Sequence, residues 1–152
     1  VKFQVYLFMT IIRKNALIPY SASKMYQLVL DVNRYHEFLP WCSMSSVLSH
    51  TEQILEGKIT IDHSVFKKSF VTRNTLTKDQ KIEMKLLEGP FKTLDGVWEF
   101  TFLDKNCSKI SLNLEFEFSS KLLSMALGPV FSQIANSMVD SFCQRAVSIY
   151  HE

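Results

Sequence analysis

The chain has four glycines in 152 residues, none in a GxG spacing, so no glycine-rich loop is present to cradle a phosphate. Its three cysteines, Cys42, Cys107 and Cys143, are odd in number and far apart, with no CxxC pair. That argues against a disulfide scaffold or a zinc site and favours a reducing compartment. A net charge of +2 is too small to point to nucleic acid, and no DNA partner is expected. No unbroken apolar run reaches the roughly 18 residues of a membrane span, so none is expected. There is no internal repeat, linker or low-complexity segment.

Catalytic groupings are equally scarce. His36, His50, His63 and His151 are scattered, without metal-ligand or triad-like spacing to an acid or a nucleophile. Glu115 and Glu117 alternate with phenylalanines and are expected to face water. Cys42 follows Pro40 and Trp41 with no histidine placed near it, which reads as a small buried residue. No catalytic residue, metal or cofactor is expected.

The chain is instead rich in rings: twelve Phe, five Tyr and two Trp. So many aromatics need a large core or an aromatic-lined cavity. The C-terminal stretch from Ser120 to Glu152 supplies one side of it. Leu127, Phe131, Ile134, Met138, Phe142 and Ile149 recur at spacings of three and four, widened by Val130, Ala135, Val139 and Ala146. That is the pattern of an amphipathic helix with a broad buried face. Gly128-Pro129 is expected to break it into a short turn over 120–127 and a main helix.

The other side comes from strands. A strand is expected over 10–18, ended by Pro19, then a helix over 22–32 capped by Ser21. A shorter helix or turn follows over 33–40, closed by Pro40. Alternation then predicts strands over 43–49, 52–62, 65–76, 80–88, 94–103 and 109–118. Over 94–103, Gly96, Trp98, Phe100 and Phe102 share one face; over 109–118, Ile110, Leu112, Leu114, Phe116 and Phe118 do. One wet and one buried face, with short links at 63–64, 77–79, 89–93 and 104–108, imply an antiparallel meander. The expected fold is α+β: a curved sheet of about seven strands gripping the long C-terminal helix. One domain over 9–152 accounts for all of it. Residues 1–8 read as an N-terminal extension, with Met9 as the expected native start.

Several stretches occur here together: YHEFLPWCS (35–43), KKSFVTRNTL (67–76), LLEGPFKTLDGVWEF (86–100) and LEFEFSSKLLSMALGPVFSQIANSMVDSFCQRA (114–146). In combination they resemble the coenzyme Q-binding START-like family of the SRPBCC superfamily. That group includes bacterial RatA-type proteins and mitochondrial ubiquinone-binding relatives. The resemblance implies the helix-grip fold and non-enzymatic binding of ubiquinone or a similar lipid, in support of respiration. It implies two rival roles as well. RatA-type members are toxins that bind the large ribosomal subunit and block subunit association, while older labels call such proteins polyketide cyclases. A bacterial, cytoplasmic setting is implied, with peripheral contact at the inner membrane in the lipid-binding case.

Carried onto this sequence, the resemblance implies a pocket mouth at Phe38, Leu39, Pro40 and Trp41, and a floor of Trp98, Phe100 and Phe116. Phe131, Ile134, Ala135 and Met138 would form the helix wall, and Phe91 would close one end. Arg73, Asn74 and Thr72 are the candidates for a quinone head, with strand register deciding whether Arg73 or Asn74 points inward. Lys67, Lys68 and Arg73 form a basic cluster that would serve as the ribosome-facing patch.

Overall fold

A computed structural model describes residues 9–63 and 66–151. Residues 1–8, the Ser64-Val65 link and Glu152 lie outside the described residues, and with them the expected N-terminal extension over 1–8 and the first residue of the 65–76 strand. Strand β1 (Thr10–Ile18) leads into helix α1 (Ala22–Leu30) and a 3-10 helix (Val32–Glu37). Six strands follow: β2 (Cys42–His50), β3 (Ile54–His63), β4 (Phe66–Thr77), β5 (Lys81–Glu88), β6 (Phe91–Asp104) and β7 (Cys107–Phe118). Helix α2 (Lys121–Ile149) closes the chain.

All pairings are antiparallel, in the order β1-β7-β6-β5-β4-β3-β2. Consecutive hairpins account for β2 to β7, while β1 joins the far edge by pairing with β7. The result is the helix-grip arrangement that the alternation and the helical stripe imply. Its core is continuous, running from α1 across the sheet's inner face to α2.

Local chemistry explains the element ends. Ser21 accepts a hydrogen bond from the Lys24 backbone N–H at 3.1 Å and so caps α1. The helix stops at Leu30 rather than 32, because Asp31 leaves helical geometry (ψ 66°). In the 3-10 turns that follow, Val32 and Tyr35 are both buried, the spacing of three that this helix stacks on one side. Ser120 caps α2 in the same way as Ser21, through the Leu123 N–H at 3.1 Å. The links 89–93 and 104–108 are shorter than expected: β6 starts at Phe91 and β7 at Cys107, which shrinks both hairpins to tight turns.

Further expectations are corrected. The break at Gly128-Pro129 is absent, and α2 runs unbroken through Pro129 for 29 residues, about 43 Å. The proline removes only the hydrogen bond to the Met125 carbonyl. Pro129 is exposed, Met125 is 67% exposed and the space around Gly128 is open, so water can take the missing donor's place. Phe102 keeps the inward parity of Trp98 and Phe100 but is not buried, being 68% exposed. The inner face is covered as far as Phe100, which packs edge-on against Tyr26 of α1; Phe102 lies beyond that cover, where a bulge interrupts the β6–β7 register. Glu117 is buried, not wet like Glu115, and pairs with Lys92 at 3.6 Å beside another register shift, between Phe91 and Thr93.

Helix α2 also has the length and apolarity to cross a membrane, with a mean hydropathy of 1.3 over its best 18-residue window. That differs from the expectation of no such segment: uncharged Ser, Asn and Gln keep the run from looking apolar while adding no charge. Here α2 is the core helix of the fold, with Leu127, Phe131, Ile134, Ala135, Val139, Phe142 and Ala146 buried against the sheet. Each large side chain fully removed from water contributes about 1.5–3 kcal/mol.

Candidate functional site

Between α2 and the concave face of the sheet lies a cavity of about 80 Å³. Phe131, Ile134, Ala135 and Met138 form its helix wall. Trp98 and Leu94 come from β6, Leu112 and Leu114 from β7, Met84 from β5, and Phe70, Thr72 and Asn74 from β4. Gly57 and Ile59 of β3, with Val32, Tyr35 and Trp41 from the segment between α1 and β2, complete it. The lining is overwhelmingly apolar and carries no Asp, Glu, Lys, Arg or His.

The four helix-wall residues proposed from sequence therefore come together, and Trp41, Trp98, Thr72 and Asn74 meet them. The remaining candidates do not reach the cavity. Phe91 and Phe116 belong to an aromatic cluster at one end of it. There Phe131 packs edge-on against Phe116 (centroids 4.6 Å apart) and against Phe91 (5.0 Å), and Phe70 and Phe118 complete the group. Phe100 lies between Trp98 and Tyr26. Leu39 is in the core, 1% exposed, and Pro40 is exposed. Phe38 packs against Tyr35 and Phe142 beneath the Arg145 guanidinium, outside the cavity.

Register decides the polar candidates. Leu55 opposes Asn74 and Gly57 opposes Thr72, so Thr72 and Asn74 share the inner face with Leu76. Arg73 falls on the outer face and pairs with Glu56 at 2.8 Å. A bulge between Val71 and Thr72 keeps Phe70, Val71 and Thr72 all buried, which strict alternation would not allow. Inside, the Thr72 hydroxyl donates to the Asn74 side-chain carbonyl at 2.8 Å, and the Tyr35 hydroxyl donates to the Val29 backbone carbonyl. Burial pushes the Tyr35 phenol well above its ordinary value, reinforced by the charges of Asp31 and Cys42, so it stays neutral. The Trp41 indole Nε1 is buried without an acceptor.

The basic cluster divides between the two faces. Lys67 lies on the outer face, 4.0 Å from Asp62, whereas Lys68 opposes Ile61 and has the inward parity of Phe70. Lys81–Glu83 and Lys85–Asp95 add further pairs on neighbouring strands. Lys67 and Arg73 are thus accompanied by acids, which reduces the field they present together.

Val32, Tyr35, Gly57, Ile59, Phe70, Met84, Leu94, Leu112 and Leu114 were not anticipated as lining. Gly57 was the available signal: a glycine inside a strand often marks a close approach or an unfilled space. Large rings drew attention instead, and large rings mostly fill space.

Comparison with known proteins places this geometry. The family model described as polyketide cyclase / dehydrase and lipid transport matches residues 18–143. The chain belongs to this family. Within it, the chain is 46% identical over 141 residues to a protein of Pseudomonas aeruginosa named ribosome association toxin RatA, covering 93% of this chain and 98% of that one. A Xenopus laevis protein, named coenzyme Q-binding protein COQ10 homolog B, mitochondrial, is 26% identical over 141 residues, covering 90% of this chain and 58% of that one. Among solved structures, the Zhui aromatase/cyclase of Streptomyces sp. R1128 superposes with a TM-score of 0.80 at 15% identity, covering 91% of this chain and 93% of that one. This last likeness concerns the fold. The START-like resemblance of the sequence is thereby supported at the level of family and architecture.

Proposed function

We propose that this chain acts by associating with the ribosome, as the name of its RatA relatives states for them, and not by catalysis. The observation that carries this reading is the 46% identity to a RatA protein over nearly the whole length of both chains. It favours the ribosome over ubiquinone, which the sequence alone put first. The absence of carboxylate, imidazole or ammonium groups from the cavity lining supports a non-enzymatic role, since acid–base work on an enclosed substrate needs such a group within reach. A bacterial cytoplasmic setting accompanies this reading. The test is co-sedimentation with large ribosomal subunits across a salt series. Binding at low salt that weakens as salt rises is the expected result, and protein remaining at the top of the gradient at every salt would overturn it. Neutralising Lys67, Lys68 and Arg73 together tests the proposed patch. Unchanged sedimentation would place the contact on another face.

The cavity favours a second reading, that the domain also holds a small apolar ligand. Sites for drug-sized molecules are typically ~300–1,000 Å³. A cavity of about 80 Å³ is too tight for a long-tailed quinone unless the aromatic cluster around Phe131 moves. Extraction of natively purified protein with organic solvent, followed by mass spectrometry, tests this. A stoichiometric small lipid or ring compound supports it, and an extract without one counts against it.

A further inference from the structure

Lys67 and Arg73 are each held beside an acid, Asp62 and Glu56. Cations at the β1 edge of the sheet are not. Arg13 of β1, Lys109 of β7 and Lys105 in the turn before β7 are exposed and have no ion-pair partner among the described residues. Strand register sets them along one track. Arg13 opposes Asn113, Leu17 opposes Lys109, and Lys109 opposes Thr101 of β6, all on the outer face, away from the buried Ile12 and Ile110. Between them lie Asn15 and Ser111, uncharged groups that can both donate and accept. Two acids stand beside the track: Asp104 takes the Asn106 backbone N–H at 2.7 Å and closes the turn, and Glu99 opposes Lys81. At the turn end stands Phe102, the one exposed aromatic among the described residues. Its neighbour Leu103 points to the other face of the strand, so the two do not merge into one apolar patch for a membrane or a helix to cover.

Uncompensated cations beside a lone exposed ring are what single-stranded RNA needs: partners for its phosphates and a platform for an unpaired base. We propose that this track binds single-stranded RNA, with Arg13, Lys109 and Lys105 against phosphates and Phe102 stacked on one base. Binding there rests on the reading that the chain associates with the ribosome. It makes RNA the partner and moves the contact from Lys67, Lys68 and Arg73 to the β1 edge and the β6–β7 turn. The track is separate from the cavity, whose lining includes none of these four residues.

The experiment measures binding to large ribosomal subunits by co-sedimentation and to a fluorescein-labelled single-stranded oligoadenylate of about 12 nucleotides by anisotropy, each across a salt series. The chains compared are the wild type, Phe102→Tyr, Phe102→Leu, and a triple variant with Arg13→Gln, Lys105→Gln and Lys109→Gln. All four positions are exposed, so the variants are expected to fold. Phe102→Tyr should bind both probes within about twofold of the wild type, and Phe102→Leu about tenfold more weakly, because leucine is apolar but cannot stack. The triple variant should lower the slope of log affinity against log salt by about two, at ~0.7 per phosphate contact. Leucine serving as well as tyrosine, or subunit binding without oligonucleotide binding, would show an apolar contact with protein and overturn the inference. Subunit binding untouched by any variant would overturn it too and leave the ribosome reading standing. Oligonucleotide binding with the expected variant pattern, but no subunit binding, would sustain the RNA track and overturn the ribosome reading. If the wild type binds neither probe, both fall.

Discussion

Arg145 near the end of α2 reaches Glu37 at the end of the 3-10 helix, with 2.8 Å between guanidinium and carboxylate across 108 residues of sequence. The same guanidinium lies 4.9 Å from the centroid of the Phe38 ring. One side chain thus ties the segment carrying Trp41 to the helix that walls the cavity.

Acid should loosen this tie. The hydrogen bond from Arg145, the largest influence, holds the Glu37 carboxyl below its usual range, assisted by the charges of Arg34, Arg145 and His36. A lowered folded value means that the stabilisation is complete above the ordinary carboxylate range and is lost as pH falls through the lowered value. Urea midpoints measured from about pH 7 down to about pH 3 should therefore fall more steeply for the wild type than for Glu37→Gln. Parallel curves for the two would show that the pair contributes nothing to acid stability.

The glycines separate cleanly. A Cβ on Gly57 would meet Val32 at 3.4 Å and Leu55 at 3.5 Å, ordinary contact distances, and would enter the cavity. Gly57→Ala should stabilise by about 0.4–1 kcal/mol through the unfolded chain. Gly89 has φ +150°, and a Cβ there would sit 2.7 Å from the Phe70 Cβ. Gly89→Ala should destabilise by about 1–3 kcal/mol. Chemical denaturation of the two variants, read side by side, checks both signs.

The same reasoning applies to α2. Gly128 lies in a helix with nothing within 4 Å of an added Cβ. Gly128→Ala should add about 0.5–1 kcal/mol. Pro129→Ala, which restores a helical donor on the exposed side, should also raise the thermal midpoint. A lower midpoint for either would mean that this turn is not helical in solution.

Phe131 is the hub of the aromatic cluster, with Phe116, Phe91, Phe118 and Phe70 around it. Phe131→Ala should cost about 3–5 kcal/mol and join the space it leaves to the cavity. If bulk at this position limits what the cavity admits, longer apolar probes should bind the variant more tightly than the wild type. The measurement pairs urea denaturation with a ligand series of increasing length.

The sheet and its grip on α2 were legible because β6 and β7 alternate strictly and the helix repeats its apolar residues over many turns. Local irregularities were not. The bulge at Val71-Thr72 and the register shift beside Glu117 depend on neighbouring strands, and neither leaves a mark in its own segment. Gly128-Pro129 read as a break because sequence cannot show that the orphaned carbonyl faces water. The helix wall of the cavity followed from Phe131, Ile134, Ala135 and Met138. Its strand wall did not, because a space is defined as much by small residues such as Gly57 as by the rings beside it.

The order of strands has a consequence for how the molecule comes into being. Strand β1 has a single partner, β7, and even the nearby bond from the Ser108 hydroxyl to the Tyr20 carbonyl spans 88 residues. Pairings over such separations are slow to close. During synthesis the amino-terminal strand must wait, unpaired, until nearly the whole chain has emerged, and α2 cannot seat before it. A nascent chain stalled anywhere before β7 would hold its first strand open to pairing with other chains.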